Sequence, residues 1–197
     1  MTPNTMNGHL ILIMAPSGSG KGTLLKHLRD VFPEAHFAIS CMTRAIRPGE
    51  VDGVTAYFKT REVFQEMVEN GDFIEHVEYG GNLSGTLKSE VIDPLKKGEL
   101  VIREMELQGV QAISKVVPKE NRTIIYVDAG GWDVLEKRIR ARAPITEEEL
   151  QKRKERYEKE SRSKDVADII LPNPDGKLEE TKKELARIIE AQYNTHI

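Results

Sequence analysis

The residues best suited to chemistry lie in one short segment, Ala15-Pro16-Ser17-Gly18-Ser19-Gly20-Lys21-Gly22-Thr23. Its glycines allow backbone N–H groups to converge on phosphate oxygens, and a following helix N-terminus adds a partial positive charge. The Lys21 ammonium would reach the β- and γ-phosphates as a point charge. The segment follows an apolar run at 10–14 and precedes a helical pattern, the context of a phosphate-binding loop. The spacing predicts that the chain binds a nucleoside triphosphate.

This loop departs from the usual pattern at both ends. The pattern begins with Gly and places Ser or Thr directly after Lys. Here Ala15 stands first, and Gly22 separates Lys21 from Thr23. We therefore expect Thr23 to supply the hydroxyl that serves magnesium, with water between them. An ordinary Gly- and Ser-rich turn is the alternative, but the lysine, the glycines and both flanks favour the phosphate loop.

A second candidate site contains two arginines, Arg44 and Arg47, in the turn-forming segment 43–53. Guanidinium forks bind phosphate oxygens bidentately, so this spacing could hold a second phosphate. Taken alone, the pattern is more typical of a solvated loop with two surface arginines.

The segment 43–53 resembles the loop TTR-x-x-RPGEVDG, which holds the acceptor nucleotide in the guanylate kinase family. Its matching anchors are Arg44, Arg47, Gly49, Glu50 and Gly53. Further matches follow in the family's order over essentially the whole chain. They are the strand motif at 73–75, the turn at 81–86, the segment 104–109, the arginines of 138–142 with Glu147, Glu148 and Arg153, and Asn173.

The resemblance implies a role for each matching residue. The residues implied to bind ATP are Pro16, Ser17, Gly18, Ser19, Gly20, Lys21, Gly22 and Thr23, with Asn173 near the adenine. The residues implied to be catalytic are Lys21, which would bind the ATP phosphates, and Arg138, Arg142 and Arg153, which would close over the transferring phosphoryl group. The residues implied to bind the acceptor are Ser40, Arg44, Arg47, Glu75, Thr86 and Glu106.

Glu75 is implied to read the base, and hydrogen-bond chemistry agrees. Guanine offers two donors side by side, which one carboxylate accepts, whereas adenine presents an acceptor at N1. On its own, Glu75 is also consistent with an exposed strand carboxylate. The acceptor phosphate is already ionised, so the reaction needs positioning and charge stabilisation by cations and Mg²⁺ rather than a general base.

The chain differs from the family pattern at four places. Two family tyrosines that touch the acceptor phosphate are Ala56 and Ser84 here, and the family's Asp is Glu106. Tyr57 cannot simply replace the first tyrosine, because neighbours on a strand face opposite sides. Ala143-Pro144 replaces the lid's Gly.

The expected activity is ATP-dependent phosphorylation of GMP, and also of dGMP. The alternatives are a kinase for a different or modified purine (deoxy)nucleoside monophosphate and a non-catalytic guanylate-kinase-like interaction module. The module is disfavoured because Lys21 and the lid arginines are present.

The elements that must position these residues alternate between strands and helices, which predicts an α/β fold with a parallel P-loop sheet covered by helices on both faces. The predicted strands are 10–14, 36–39, 57–58, 73–79, 100–102, 123–127 and 169–171. The predicted helices are 21–32, 61–69 with Thr60 as N-cap, 87–97 interrupted by Pro94, one from 107, 132–142, 147–163 and 178–193.

We expect a single domain with three parts. A parallel core would comprise about 7–39, 95–137 and 160–197, with a more antiparallel acceptor-binding lobe inserted at about 40–94. A helical lid would span about 138–159. Lobe and lid should close on the substrates, since water would otherwise accept the phosphoryl group.

Composition narrows the class of protein. The 197 residues carry a formal net charge of -3, which argues against a nucleic-acid partner. The single cysteine, Cys41, excludes an internal disulfide and fits a reducing compartment. No apolar run has the length of a membrane span, and the first residues do not resemble a signal peptide. We therefore expect a cytoplasmic monomer or dimer whose partners are small-molecule nucleotides.

Overall fold

The structure is a computed structural model that describes residues 6–194, apart from the side chain of Arg142. The strands are β1 (His9–Met14), β2 (His36–Phe37), β3 (Cys41–Met42), β4 (Tyr57–Phe58), β5 (Phe73–Tyr79), β6 (Asn82–Leu87), β7 (Leu100–Glu104), β8 (Arg122–Asp128) and β9 (Ile169–Pro172). The helices are α1 (Lys21–Val31), α2 (Arg61–Glu69), α3 (Lys88–Lys96), α4 (Leu107–Ile113), α5 (Trp132–Arg142), α6 (Glu147–Glu160) and α7 (Leu178–Asn194). Short 3-10 helices occupy Lys119–Asn121 and Ser161–Val166. None of the described helices is long and apolar enough to cross a membrane.

The central sheet has five parallel strands in the order β2-β7-β1-β8-β9. All six residues of β1 are buried, as expected for a parallel strand covered on both faces. Parallel strands end at the same edge, so the segments after β1, β7, β8 and β9 emerge side by side. In open α/β sheets this edge is where ligands bind.

Helices cover both faces of this sheet, as the sequence predicted. On one face α1 and α7 pack their apolar sides against the strands, including Leu24, Leu28 and Leu185. On the other face α3 and α4 contribute a second apolar layer, including Val91 and Val110. The predicted fold class is confirmed.

A second, four-stranded sheet has the order β4-β3-β6-β5. Its β3–β4 pair is parallel, whereas β3–β6 and β5–β6 are antiparallel. A small apolar cluster of its own holds it to α2, where the rings of Phe64 and Phe73 stack at 4.4 Å between centroids. The buried Cys41 belongs to this cluster and serves packing.

The predictions for this region were right about helix α2 and wrong about the segment 81–86. Thr60 caps α2 as predicted, accepting a hydrogen bond from the Val63 N–H. The turn is made by Gly80 and Gly81, both with positive φ, and most of 81–86 is strand β6. A Cβ at Gly85 would lie 2.7 Å from the Glu75 carbonyl oxygen, so the pairing of β6 with β5 requires glycine at this position. Glycine is unusual inside a strand, which is why the sequence did not predict one here.

Two predicted helices also need correction. Pro94 does not interrupt α3, which runs through it to Lys96. Proline lacks one N–H, so the helix loses only the hydrogen bond that would reach the Glu90 carbonyl. The Pro94 carbonyl itself accepts N–H groups of Lys97 and Glu99, each at 3.0 Å. The helix predicted at 147–163 ends at Glu160 and continues as a 3-10 helix.

Phe64→Ala tests whether the apolar cluster stabilises the smaller sheet. Phe64 is fully buried against Phe73, so its truncation should lower the free energy of unfolding by about 3–5 kcal/mol. Denaturant titration measures this change. The neighbouring Val63→Ala, at an exposed position of the same helix, is the control and should change stability by less than about 1 kcal/mol. Equal effects of the two substitutions would contradict the assigned packing.

Candidate active site

The phosphate loop joins β1 to α1, and two of its glycines make the tight turn. Gly18 and Gly20 both have φ of +89°, a conformation that favours glycine. Gly20 is also the N-cap of α1, and among the described residues no side chain caps this helix. The N-terminus of α1 is therefore available to an anion.

Asn173 holds the backbone of this loop through its side-chain amide. Its amide Nδ2 donates to the Ser19 carbonyl at 2.6 Å, and its backbone N–H donates to the Asp128 carbonyl at 2.7 Å. A Cβ at Gly20 would lie 2.9 Å from the same amide, so only glycine fits there. The structure thus places the buried Asn173 against the loop backbone, while its proximity to adenine stays a prediction.

A cavity of about 1060 Å³ opens beside the loop at the carboxyl edge of the central sheet. This volume can hold a nucleotide-sized ligand. It brings together all the predicted loop residues from Pro16 to Thr23, the lid arginines Arg138 and Arg153, and Glu106 from the acceptor set. Its other walls come from 143–145 and from Glu149, Arg156 and Glu160 of α6.

Three cations of this cavity lie near polar partners within the protein. The Lys21 Nζ lies 3.8 Å from Glu104 Oε2. Arg138 donates to Asp175 Oδ1 at 2.7 Å and to the Asn173 carbonyl at 2.9 Å. Arg153 is already at the loop, with 3.5 Å between its Nη1 and the hydroxyl oxygen of Ser17.

The side chain of Arg142 lies outside the described part of the chain. Nearby on α5, Arg140 forms ion pairs with the partly buried Glu136 and the exposed Glu147. The Arg140 guanidinium lowers the pKa of Glu147. This pair connects the end of α5 to the start of α6.

Glu160 is a cavity residue that the sequence did not single out. Burial raises the pKa of its carboxyl, the Glu106 carboxylate raises it further, and Arg156 and Lys21 oppose the shift. The sequence places Glu160 in a highly charged helix, where nothing distinguishes it from solvated neighbours. Only the approach of α6 to the phosphate loop reveals it.

The two predicted phosphate-binding arginines of the lobe lie in a loop organised by Glu50. Arg44 donates to both Glu50 oxygens, at 2.7 and 2.6 Å, and the Arg47 N–H donates to Oε2 at 2.9 Å. These contacts, Arg44 first, lower the pKa of Glu50 to about 2. The fork of Arg44 is therefore held in place by an internal carboxylate, while the Arg47 side chain is exposed.

The other residues predicted to bind the acceptor lie together around a buried arginine; they are Ser40, Glu75 and Thr86. The Thr86 hydroxyl donates to Glu75 Oε1 at 2.5 Å across the β5–β6 pair. Arg103 of β7 donates to the Thr86 hydroxyl at 2.7 Å and to the Ser40 hydroxyl at 3.2 Å. Sequence reasoning missed Arg103, although a charge directly after the apolar run 100–102 was a visible signal.

Ala56, which stands where the family has a tyrosine, is buried, and the adjacent Tyr57 has a different partner. Ala56 is 2% exposed and so is part of the packed interior. The Tyr57 hydroxyl donates to Glu90 Oε1 at 3.0 Å, and Glu90 also accepts the Ile39 N–H at 2.8 Å. Tyr57 therefore joins the lobe to the core and does not replace the hydroxyl absent at Ala56.

Glu160→Gln tests the electrostatics of the cavity. A carboxyl whose pKa is higher in the folded than in the unfolded protein lowers the free energy of unfolding as pH rises between those two pKa values. The folded protein stays destabilised by that amount at higher pH. The variant should match the parent near about pH 4 and have the higher Tm near about pH 7. Thermal denaturation at both pH values measures this. Glu158→Gln, at an exposed position of α6, should show no such pH-dependent gain, and an equal gain would contradict the assignment.

Comparisons with known proteins agree with this geometry. A family model described as guanylate kinase matches residues 7–192. The guanylate kinase of Trichormus variabilis (strain ATCC 29413 / PCC 7937) is 38% identical over 172 residues, covering 87% of this chain and 85% of the relative. The guanylate kinase of Rubrobacter xylanophilus (strain DSM 9941 / JCM 11954 / NBRC 16129 / PRD-1) is 35% identical over 182 residues, covering 92% and 93%.

Among solved structures, the guanylate kinase from Anaplasma phagocytophilum matches with a TM-score of 0.69. The match covers 94% of this chain and 86% of that one at 24% identity, so it shows the fold alone. The family model and the sequence relatives show more. The chain belongs to the guanylate kinase family and is a nucleoside monophosphate kinase, a phosphotransferase.

Proposed function

We propose that this chain performs the ATP-dependent phosphorylation of GMP, and of dGMP, with the residues described above. The phosphate loop, Lys21 and the N-terminus of α1 hold the ATP phosphates. Arg44 and Arg47 hold the acceptor phosphate, and Glu75 with Thr86 and Ser40 reads guanine.

The observation that carries this proposal is the end of strand β7, where consecutive side chains contact both sites. Arg103 hydrogen-bonds Ser40 and Thr86 of the base site, whereas the Glu104 carboxylate lies 3.8 Å from Lys21 of the phosphate loop. The base site and the donor site are thus neighbours across one strand end. Such proximity is what a transfer between two bound nucleotides requires.

The proposed reaction is a direct transfer. An oxygen of the acceptor phosphate bonds to the γ-phosphorus of ATP while the bond from that phosphorus to the β–γ bridging oxygen breaks, which releases ADP. Lys21 and Arg153 stabilise the charge spread over the transferred group. Arg138 and Arg142 join them when the lid closes, and Arg138 then exchanges Asp175 for phosphate oxygens.

Magnesium fits the oxygen donors of this cavity. It usually binds through one or two carboxylates together with substrate phosphates and waters. Among the described residues, no three His, Cys, Asp or Glu side chains cluster to hold a metal ion by themselves. Thr23 lines the cavity, so its hydroxyl would hold Mg²⁺ through water. Bound there, Mg²⁺ would supply charge neutralisation for the ATP phosphates.

The acceptor is proposed to be guanine-based despite Ala56 and Ser84. Two lost neutral hydroxyl contacts weaken binding by about 1 kcal/mol each, which leaves the arginines and Glu75 to hold the nucleotide. Glu106 lines the donor cavity and supports the acceptor from the core. No observation favours a different purine or a non-catalytic module.

Lys21→Ala tests the donor half of the proposal. Removal of the ammonium takes away charge stabilisation of the transferred group, so kcat should fall about 100- to 1000-fold. ADP release with ATP, Mg²⁺ and a panel of GMP, dGMP, AMP and modified purine monophosphates measures it. Lys26→Ala, on the same helix but outside the cavity lining, should retain parental turnover. Full activity of Lys21→Ala would remove the phosphate-loop assignment.

Glu75→Gln tests the acceptor half. The amide presents a donor toward a base edge that needs two acceptors, so the ratio of kcat/KM for GMP over AMP should fall about 100-fold. Glu78→Gln, on the same strand but paired with Arg61 at the surface, is the matched control and should keep the ratio. An unchanged ratio in Glu75→Gln would mean that other residues read the base.

A further inference from the structure

We propose that Arg103 is a positioning residue for guanine recognition, which it serves by holding Thr86 as a hydrogen-bond donor to Glu75. The proposal rests on the proposed function, in which Glu75 reads the base. It adds a residue that approaches the base site from the core sheet rather than from the lobe.

The burial of Arg103 carries a desolvation penalty, because its guanidinium is charged. Arg103 lies in β7 between the strands of the central sheet, pairs in register with Leu12, and is 5% exposed. By strand alternation it shares a face with Val101, which packs in the apolar layer of α3 and α4. A buried guanidinium needs partners for its donors, since desolvation alone would strongly disfavour it.

Two of the three acceptors that Arg103 finds belong to the proposed base site. Arg103 donates through Nη1 to the Ala38 carbonyl at 3.1 Å and through Nη2 to the hydroxyl oxygens of Ser40 and Thr86. The first two acceptors lie where the chain leaves the core after β2. The third lies on β6 in the lobe, so one guanidinium joins three segments.

Donor and acceptor chemistry fixes the direction of the relay. A guanidinium can only donate, so it occupies a lone pair of Thr86 Oγ1 and leaves that hydroxyl its proton. The Thr86 hydroxyl uses that proton in its hydrogen bond to Glu75 Oε1, with 2.5 Å between the two oxygens. The carboxylate of Glu75 is therefore held in one orientation before any base arrives, with Oε2 and a further lone pair of Oε1 available to guanine.

The charges favour the same arrangement. Burial lowers the pKa of Arg103, and the Glu75 carboxylate is the strongest of the charges that oppose this shift. The two charges interact through the intervening hydroxyl rather than by direct contact. A fixed acceptor loses less entropy on binding a base than a freely rotating one does.

The test compares Arg103→Met with the parent protein. Methionine keeps the volume but cannot donate, so Thr86 Oγ1 loses the partner that holds it beside Glu75. We expect the GMP-over-AMP ratio of kcat/KM to fall about tenfold, the scale of one hydrogen bond to a charged group. The change should appear as a raised KM for GMP, with kcat within about threefold and KM for ATP unaltered.

Two controls separate positioning from stability. Arg122→Met removes another arginine of the central sheet, one that donates to the Val117 carbonyl away from the base site, and should keep the ratio. Arg103→Lys retains the charge and part of the donor set, so it should restore part of the ratio. A loss of ratio in Arg122→Met equal to that in Arg103→Met would overturn the proposal.

A double-mutant cycle covers the case in which Arg103→Met does not fold. Thr86→Val removes the relay hydroxyl and keeps the buried charge. If Arg103 acts through Thr86, the effects of Arg103→Lys and Thr86→Val on the ratio should combine to less than their product. Fully multiplicative effects would overturn the relay.

The outcomes also distinguish the role proposed for Arg103 from the reading of guanine by Glu75. If Glu75→Gln lowers the GMP-over-AMP ratio but Arg103→Met leaves it within about twofold of the parent, the role of Arg103 is wrong and the base reader stands. If Glu75→Gln itself leaves the ratio unchanged, the reading of guanine by Glu75 fails first.

Discussion

The parallel pairing of five strands places all their carboxyl ends at one edge, and the site depends on that constraint. The phosphate loop leaves this edge after β1, Glu104 ends β7, and Asn173 follows β9 closely enough to bond the loop. Residues far apart in sequence become neighbours because hydrogen-bonded strands lie about 4.8 Å apart. The smaller sheet brings the proposed base site to this edge.

Internal carboxylates hold the cations that phosphates are proposed to meet. Glu50 grips the fork of Arg44, and Asp175 accepts a hydrogen bond from Arg138. Each pair orients a long side chain that would otherwise lose rotamer entropy on binding. In the proposed reaction, a phosphate would replace the resident carboxylate at each of these guanidinium groups.

The sequence predicted the elements with strong local signals and missed those defined by distant contacts. Helix α2 has a cap and a clear apolar face, and its bounds agree with the prediction. Strand β6 has no such pattern, because Gly85 is required by a close approach to β5 that sequence does not display. The roles of Arg103 and Glu160 likewise depend on partners brought near by the fold. The hydroxyls that Arg103 binds lie 63 and 17 residues away along the chain.

The alternation of side chains along β7 constrains the length of this strand in the protein. Arg103 and Glu104 are adjacent, and alternation directs one toward the Thr86 hydroxyl and the other toward Lys21. A substitution at either position alters one contact and leaves the other in place. Insertion or deletion of a single residue within β7 would shift the register on one side of the change, so that the residues on that side face the opposite way and the pairing of the apolar run with Arg103 and Glu104 is lost. Variation in this segment is therefore expected to accumulate by replacement of residues and not by change of length.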